Sequence, residues 1–426
     1  MLDIRLIREK TEEVQKALLK RMAQLDFTEF LDWDQQRKSL LTDLEALRAD
    51  RNKTSSHIAG MDKKSDEAQK LITEMKSVSA RIKELETNMV EYDRKINDFL
   101  IALPNIPDED VPSGGKENNE KVTEWGQKPD FDFEPKDHVE LVTSLNLVDY
   151  ERGVKMGGNG FWLYKGLGAL LEWGLVNYFV EEHLKDGYEF ILPPHLLNYE
   201  CGYTAGQFPK FEDDVFKLQG QGEGEYKHFL APTAETALIN FHRDEILAEE
   251  DLPRKYFAYT PCYRKEAGSY RTNERGMIRG HQFNKVEMFQ FTRPEDSDQA
   301  LEELISKAER LVQGLGLHYQ VSKLAAEDCS ASMAKTYDIE VWIPSMNEYK
   351  EVSSASNGRD YQTRRGNIRF RRESGKKTEF VHALNASGLA TSRLLPAMVE
   401  QFQQKDGSFA VPEVLRRWVG QDTISL

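Results

Sequence analysis

Cysteine is scarce in this chain, with only three residues among 426. Cys201, Cys262 and Cys329 lie far apart and form no C-x-x-C pair, which excludes a disulfide framework and gives no basis for a zinc site. No stretch approaches the ~20 apolar residues that a membrane span needs, and the acidic N-terminus has no apolar signal-peptide core. We therefore expect a cytoplasmic protein without a membrane partner.

Several familiar chemical motifs are also missing. The chain has no G-x-x-x-x-G-K-[ST] phosphate loop, no strand-linked G-x-G-x-x-G and no H-E-x-x-H, which removes support for P-loop, dinucleotide-binding and zinc-protease folds. Acidic residues outnumber basic ones by 72 to 57, for a net charge of −15. Averaged over the whole chain, this balance disfavours a general nucleic-acid binder. The length predicts two or three domains.

Residues 1–102 contain no proline and a single glycine, Gly60. One apolar series there has strict 3-4 spacing and a weaker one precedes it, with a turn signal at residues 59–62 between them. This pattern predicts an antiparallel two-helix coiled coil, an arm roughly 40–50 Å long at 1.5 Å rise per residue. The strict series is Met75, Val78, Ile82, Leu85, Met89, Tyr92, Ile96 and Phe99.

The charge of this hairpin differs from that of the chain. Residues 48–83 hold nine basic and five acidic side chains, a local balance of +4 that leaves −19 for the remainder. Such a run is either a solvated helix face or a surface for a phosphate backbone, and composition alone does not separate the two. The candidate contacts are Arg48, Arg51, Lys53, Lys63, Lys64, Lys76 and Arg81.

The composition changes after the hairpin. Two proline-rich stretches lie at residues 103–107 and 111–115, and proline cannot continue a helix. Beyond them, helical and strand-like segments alternate irregularly, which predicts an α+β domain with a large antiparallel sheet flanked by helices. We therefore divide the chain into a helical hairpin at 1–103, a linker at 104–118 and an α+β domain at 119–426.

Four segments of the domain at 119–426 place polar groups in otherwise apolar surroundings. Burying a polar group costs free energy unless it is hydrogen-bonded or paired, so these groups are candidates for binding a ligand. The first is Tyr263-Arg264-Lys265-Glu266 with the run Ile278–Met288, where an arginine fork suits phosphate and Phe283 could stack on a base. The second is the triplet 233–235, in which Thr233 and Glu235 either face one side of an extended segment or cap a helix at 236–242.

The other two segments lie nearer the C-terminus. In Tyr349–Asn357, Glu351 and Ser354 could offer oxygen ligands to Mg²⁺, although a strand end entering a polar loop would look the same. In Asn385-Ala386-Ser387-Gly388-Leu389-Ala390-Thr391-Ser392-Arg393, small residues allow close approach to a ligand and Arg393 is a second phosphate candidate. Taken alone, this segment could equally be the start of a helix, with a glycine that makes the backbone flexible and no ligand.

Taken together and in this order, the segments resemble seryl-tRNA synthetases of the class II aminoacyl-tRNA synthetase fold. Residues 263–266 resemble motif 2, residues 385–393 resemble motif 3, and Gly187–Pro194 resembles motif 1, which forms the dimer interface in that class. The Thr233-Ala234-Glu235 triplet is similar to the family's serine-recognition loop. The hairpin and the Pro104-Asn105-Ile106-Pro107 linker match as well, so the resemblance covers essentially the whole chain.

The resemblance implies that serine and ATP give seryl-adenylate, and that the seryl group then moves to tRNA. It implies that Arg264 binds the α-phosphate and the serine carboxylate, that Arg393 holds the γ-phosphate, and that Glu351 with Ser354 carries Mg²⁺. Glu266 would read adenine. The residues matching the serine site are Thr233, Ala234, Glu235, Arg264, Glu287 and Ser387. Those matching the ATP site are Arg264, Lys265, Glu266, Gly280, Phe283, Glu351, Val352, Ser353, Ser354 and Arg393.

The partners implied by the resemblance are L-serine, ATP, a second copy of the chain and serine tRNA. The hairpin would bind the long variable arm of that tRNA. The family also serylates selenocysteine tRNA, which makes that tRNA a second candidate substrate. Two departures from the family pattern stand out. The motif 2 loop, Ser269–Arg275, has Arg271 in place of a glycine and lacks the arginine that usually follows. Ser392 replaces the glycine that usually precedes the motif 3 arginine.

Two other functions compete with this interpretation. A non-catalytic paralogue would have lost residues among Arg264, Glu266, Glu351 and Arg393, and all four are present. A synthetase-like ligase that loads a carrier protein would fit better with a reduced hairpin, and the hairpin is intact. We therefore expect an active enzyme.

Overall fold

A computed structural model describes residues 1–62, 64–218, 228–266, 276–373, 375 and 377–425. The chain divides into two compact units, Leu2–Pro104 and Asn105–Leu426, so residues 105–118 of the predicted linker are counted with the second unit. In the described part of the chain, no helix is both long and apolar enough to cross a membrane.

The first unit is helical. Its helices are α1 (Ile4–Glu9), α2 (Thr11–Leu18), α3 (Thr28–Ala59) and α4 (Asp66–Ala102). The Ser65 side chain caps α4 by accepting a hydrogen bond from the Ala68 amide at 3.2 Å. Ion pairs join Arg37 to Asp93 and Arg48 to Glu86, so residue numbers rise along α3 as they fall along α4. The two long helices therefore run antiparallel, as the sequence predicts.

The apolar series of the sequence forms the seam between α3 and α4. Leu44, Ile82 and Leu85 are buried together, and Val78 and Met89 pack against them. At the base of the hairpin, the rings of Phe30 and Phe99 stack with centroids 5.0 Å apart. The coiled-coil prediction is confirmed, because the 3-4 spacing places these side chains on one stripe.

The elements of the second unit follow in chain order. The helices are α5 (His138–Ser144), α6 (Tyr150–Gly157), α7 (Leu167–Lys185), α8 (Tyr199–Thr204), α9 (Glu235–Leu238), α10 (Ser297–Gly314), α11 (Tyr361–Arg365), α12 (Thr391–Gln401) and α13 (Glu413–Val419). The strands are β1 (Glu120–Trp125), β2 (Val148–Asp149), β3 (Leu163–Tyr164), β4 (Glu189–Ile191), β5 (Leu196–Asn198), β6 (Lys217–Leu218), β7 (His228–Leu230), β8 (Ile246–Ala248), β9 (Arg254–Tyr263), β10 (Gln282–Thr292), β11 (Tyr319–Lys323), β12 (Lys335–Ile343), β13 (Glu348–Asn357), β14 (Arg369–Arg371), β15 (Thr378–Phe380), β16 (His382–Ala390), β17 (Phe409–Ala410) and β18 (Thr423–Ile424).

Eight of the described strands form one sheet in the order β1-β11-β12-β13-β16-β10-β9-β4. All neighbours pair antiparallel except β4 and β9, which pair parallel. The predicted large sheet is thus present, but it is mixed because of β4. Residues 192–253 join β4 to β9, and a connection of this length permits parallel pairing, which a tight hairpin would not.

The two faces of this sheet differ in polarity, since successive side chains of a strand point to opposite sides. On β10, Val286 and Met288 belong to the main core, which also contains Leu175 of α7 and Leu304 of α10. Lys285 and Glu287 lie on the other face, where Phe289 and Phe291 farther along the strand join a second apolar cluster. The helices therefore cover one face, and the other face has a polar region around Lys285 and Glu287 that is free for a site.

Some predicted boundaries are wrong by a few residues. The helix expected at 236–242 is only Glu235–Leu238, and the helix that segment 385–393 was expected to lead into already starts inside that segment, at Thr391. The segment after Leu238 folds as turns, with the Asn240 side chain donating to the Thr236 and Cys201 carbonyl groups. Side chains that bond to nearby backbone groups in this way compete with helical pairing.

Candidate active site

The polar face of the sheet borders a cavity of about 440 Å³. Strands β10, β13 and β16 line it with alternate residues, and the segments before α9 and after β9 close its sides. Its lining includes Gln207, Thr233, Glu235, Arg264, Glu266, Arg279, Lys285, Ser330, Met333, Glu351, Ser354, Ser356, Asn385 and Ser387. Residues from all four polar segments of the sequence thus meet in one place.

A buried ion pair lies at the floor of this cavity. The Nζ atom of Lys285 is 2.6 Å from Oε2 of Glu287, and the two side chains are 7% and 0% exposed. The same Nζ donates to Oγ1 of Thr233 at 2.6 Å. Asn385 and Ser387 donate to the carboxylate of Glu287 at 2.8 and 3.5 Å. Glu287 is therefore bonded by three side chains, from its own strand and from the neighbouring β16.

Glu235 is a second carboxylate of the cavity, and its partner is neutral. Gln362 of α11 donates from Nε2 to Oε1 of Glu235 at 2.7 Å. Burial and the nearby charge of Glu287 raise the pKa of Glu235 to about 7, against smaller opposing effects of Gln362, Lys285 and Arg264. The cavity therefore contains a carboxyl group that changes its charge near neutral pH.

Thr233 does not cap a helix, as one interpretation of its motif predicted, because the N-cap of α9 is Ala234 and no side chain caps it. The Oγ1 atom of Thr233 accepts from the Glu235 amide at 3.2 Å, which is a turn interaction at the start of α9. The same oxygen accepts from Lys285 and borders the cavity. One hydroxyl group therefore serves both a local turn and the site.

Arg264 follows β9 directly and reaches the middle of the site. Its Nε donates to the Pro232 carbonyl at 3.2 Å, and its guanidinium lies 5.3 Å from the centroid of the Phe283 ring. The backbone of Arg264 also pairs with His281 across the two strands at 3.0 Å. These contacts fix the base of the side chain between Thr233 and Phe283.

A smaller cavity of about 70 Å³ adjoins the first and shares Arg264, Glu266 and Glu351 with it. Gly280, Phe283, Val352, Ser392 and Arg393 also line it. Glu266 forms an ion pair with Arg279, a residue to which the sequence analysis gave no role. Ser392 is 8% exposed and lines the wall, so its extra atoms relative to glycine narrow this cavity.

Glu351 and Arg393 contact each other at the border of the two cavities. Nη1 of Arg393 donates to the Glu351 carbonyl at 2.8 Å and to its Oε2 at 3.3 Å. Desolvation raises the pKa of Glu351, but Arg393, Arg264 and Lys285 outweigh it, so that pKa lies below its ordinary value. An ionised carboxylate and the hydroxyl of Ser354 thus border one cavity, and such hard oxygen donors suit Mg²⁺.

The described part of the chain contains no cluster of three or more histidine, cysteine, aspartate or glutamate residues arranged for a metal. A divalent ion at Glu351 and Ser354 would therefore depend on further oxygen atoms from a nucleotide or water, which is the usual manner of Mg²⁺ binding beside phosphates.

A few predicted site residues do not line either cavity. Ala234 and Ser353 are buried, at 0% and 1% exposure. The Ser353 hydroxyl donates to the Ser387 carbonyl at 2.6 Å, so it holds β16 rather than facing a ligand. Glu287 lies beneath the lining. Lys265 contacts the Asp214 carbonyl through its backbone amide at 3.0 Å.

Other predictions lie outside the described residues. These are Lys63 of the hairpin and the motif 2 loop at 269–275, whose sequence differs from the family pattern. Three residues of the site or its support were not predicted from the sequence: Lys285, Arg279 and Gln362. Lys285 carried a signal, since it lies two residues before Glu287 and so shares its strand face. Gln362 carried none, because only the folded chain brings α11 to residue 235.

Comparison with known proteins agrees with this geometry. The family model described as the seryl-tRNA synthetase N-terminal domain matches residues 1–107. The model for the tRNA synthetase class II core domain (G, H, P, S and T) matches residues 216–402. The chain is 66% identical over 425 residues to serine--tRNA ligase 2 of Clostridium acetobutylicum, covering 100% of both chains.

The chain belongs to the seryl-tRNA synthetase family.

Two further relatives extend the match. Serine--tRNA ligase of Thermodesulfovibrio yellowstonii is 47% identical, with 100% of both chains covered. The crystal structure of seryl-tRNA synthetase from Pyrococcus horikoshii complexed with ATP superposes with a TM-score of 0.92 at 34% identity, covering 100% of this chain and 99% of that one. The predicted fold, a helical N-terminal domain and a class II core, is confirmed for this member of the family.

The raised pKa of Glu235 makes a prediction about stability. A carboxyl group that titrates near 7 in the folded chain and near 4.5 in the unfolded chain binds more protons when folded, so its contribution to stability falls as pH rises from about 4.5 to about 7. Glu235→Gln should therefore raise the melting temperature at pH 8 and change it much less at pH 5.

Differential scanning fluorimetry at both pH values measures this. Glu302→Gln, at an exposed carboxylate of α10, is the control. An equal effect of Glu235→Gln at pH 5 and pH 8 would show that Glu235 titrates normally.

Proposed function

We propose that this chain activates L-serine with ATP to seryl-adenylate and transfers the seryl group to serine tRNA. The observation that carries the proposal is the single cavity in which the buried Glu287–Lys285–Thr233 group, Glu235 and Arg264 meet. Selenocysteine tRNA is a second candidate acceptor, and the cytoplasm is the compartment we propose. The family membership reported above supports this function.

Serine recognition rests on the carboxylates. Serine carries an ammonium group and a hydroxyl, both of which donate hydrogen bonds, and Glu235 would accept from them in the cavity lining near Thr233 and Ser387. Glu287 would act from beneath that lining, where it accepts from Ser387. A site whose buried polar groups pair with a substrate hydroxyl rejects alanine, since those groups would be left unpaired. Threonine has to be excluded by size.

Activation rests on the cations. Attack of the serine carboxylate on the α-phosphate brings two anions together, and Arg264 extends its guanidinium into the cavity between Thr233 and Phe283. There it would bind both anions and offset their repulsion, most strongly in the transition state. No general base is needed, because serine arrives as a carboxylate. The rate then comes mainly from positioning and electrostatics.

ATP would occupy the region from Phe283 to Arg393. Phe283 would stack on adenine, Glu266 would accept from its amino group, and Arg393 would hold the γ-phosphate. Glu351 with Ser354 would hold Mg²⁺, which when bound offsets phosphate charge and favours departure of pyrophosphate. In the structure, Glu266 pairs with Arg279 and Glu351 pairs with Arg393. Nucleotide binding would therefore exchange these internal ion pairs for contacts to ATP.

The basic residues of the first unit would bind the tRNA. Lys53, Lys64 and Lys76 are exposed on the hairpin, and Arg51 is partly buried. Arg48 and Arg81 pair with Glu86 and Glu84 at 2.7 and 2.6 Å, but both pairs are open to solvent. Contacts of this kind read the backbone and shape of an RNA and weaken as salt rises.

The division of labour between the units can be tested by two variants. Arg264→Ala should lower serine-dependent ATP–pyrophosphate exchange by at least about 10³-fold, since the loss of one preorganised charge contact costs about 10²–10³ in rate and Arg264 makes two. The triple change of Lys64, Lys76 and Arg81 to alanine should leave exchange unchanged. It should weaken charging of a long-variable-arm tRNA, and the salt dependence of charging should become shallower.

The matched control neutralises three exposed lysines of the second unit, Lys121, Lys377 and Lys405, and should leave both reactions unchanged. Absence of serine-dependent exchange in the unaltered protein would refute the proposed function. Exchange without charging of any tRNA would favour the ligase that loads a carrier protein.

We further propose that the chain forms a homodimer through the motif 1 region. Large apolar side chains of α7 and of the segment from β4 to β5 are exposed together, although such residues normally gather in a core. They are Leu170 at 45%, Trp173 at 53%, Leu184 at 52%, Phe190 at 37%, Leu192 at 71% and Leu196 at 48%. β4 is also the edge strand of the large sheet.

Trp173→Glu should convert the dimer to a monomer, because the change places a charge in the centre of an apolar interface. Light scattering coupled to size-exclusion chromatography measures the mass. Val90→Glu is the control, since Val90 is 66% exposed but lies on the hairpin. A monomeric mass for the unaltered protein at micromolar concentration would contradict the proposal.

A further inference from the structure

Helix α11 lies behind the cavity wall and takes no part in the proposed contacts to serine, ATP or tRNA. Its second residue, Gln362, is 1% exposed and does not line the cavity. Its Nε2 donates to Oε1 of Glu235 at 2.7 Å and to the Ala205 carbonyl at 3.0 Å. Both N–H groups of the amide are thus used by acceptors, which sets the orientation of the side chain.

The backbone that carries Gln362 is itself fixed. Thr363 donates from its hydroxyl to the Val381 carbonyl at 2.7 Å. Arg365 donates to the carbonyl groups of Tyr203 and Phe208 at 2.5 and 2.6 Å. These bonds connect α11 to the residue before β16 and to the segment around α8. They fix the backbone position from which the amide of Gln362 bonds Glu235.

The neutral character of this partner matters because of the other charges around Glu235. The charged groups that face it are Glu287 and Lys285 on β10 and Arg264 beyond β9. One of the two cations, Lys285, already bonds Glu287 and Thr233. Glu235 is therefore ordered by a hydrogen bond while its negative charge has no direct ion pair among the described residues.

We propose that Gln362 is a positioning residue for amino-acid binding: its amide fixes the Glu235 carboxylate and leaves the charge of that carboxylate to be paired by the ammonium group of the substrate. This inference rests on the proposed function. It predicts that the substrate competes with a proton for Glu235, so that the KM for serine rises as pH falls below about 7.

The test is Gln362→Met, which keeps the length of the side chain and removes the amide. Serine KM in ATP–pyrophosphate exchange should rise about tenfold at pH 7.5, since a hydrogen bond to a charged group is lost. The KM for ATP and kcat should stay within about twofold. The pH below which serine KM rises should move upward, because the lost amide no longer favours the ionised carboxyl group.

Thr363→Val is the matched control. It removes a buried hydrogen bond of the same helix without touching Glu235, so it reports the effect of loosening α11 alone and should not move the pH profile. Gln362→Glu serves if the methionine variant does not fold. The introduced carboxyl group would repel Glu235 when both are ionised, so serine KM should rise as pH increases above 8.

The outcomes separate this inference from the function on which it rests. No serine-dependent exchange in the unaltered protein overturns the proposed function. Exchange in the unaltered protein, with serine KM and its pH profile unchanged in Gln362→Met, overturns the role of Gln362 alone. A fall in kcat with an unchanged pH profile also overturns it, since that is the behaviour of a purely structural residue.

Discussion

The contact between Lys285 and Glu287 organises the polar side of this fold. Burying two charges is costly unless they pair closely and their remaining hydrogen-bonding capacity is used. Here Thr233 completes the bonding of Lys285, and Asn385 and Ser387 complete that of Glu287. The pair therefore joins β10, β16 and the segment before α9, which are the parts that would form the serine site. Removing either charge would leave the other unpaired in the same enclosed place.

The same ion pair explains why Glu235 and Glu287 have different bonding partners. Lys285 serves Glu287 directly and Glu235 only from a distance, so Glu235 depends on the neutral amide of Gln362. Glu287 is then held by a direct ion pair, whereas burial and the charge of Glu287 raise the pKa of Glu235 to about 7. A carboxylate without a direct ion pair keeps its charge available for the ammonium group of a zwitterion.

The sequence predicted the elements whose signal is local. The 3-4 apolar spacing predicted α3 and α4, and strand-like runs predicted β9, β10 and β12 within a few residues. Motif resemblance predicted that Thr233, Arg264, Glu351 and Arg393 belong together, and the structure places all four around adjoining cavities. The roles assigned to individual residues remain predictions, because they depend on bound substrates.

The sequence could not predict features that arise from tertiary packing. Parallel pairing of β4 follows from the long connection that joins it to β9, and the ion pairs of Glu266 and Glu351 follow from the approach of distant segments. Net charge was misleading as an average. The value of −15 disfavoured a polyanion partner, yet the hairpin segment 48–83 is basic by +4, so only the local distribution bears on tRNA binding.

The central claim is that the polar face of the sheet is built around the hydroxyl and ammonium groups of serine. Calorimetric titration with non-hydrolysable seryl-adenylate and alanyl-adenylate analogues tests it most directly, because the two ligands differ only in the hydroxyl. The account predicts that the seryl analogue binds at least about 10³-fold more tightly, since loss of the hydroxyl leaves buried polar groups unpaired. Equal affinities for the two analogues would contradict it.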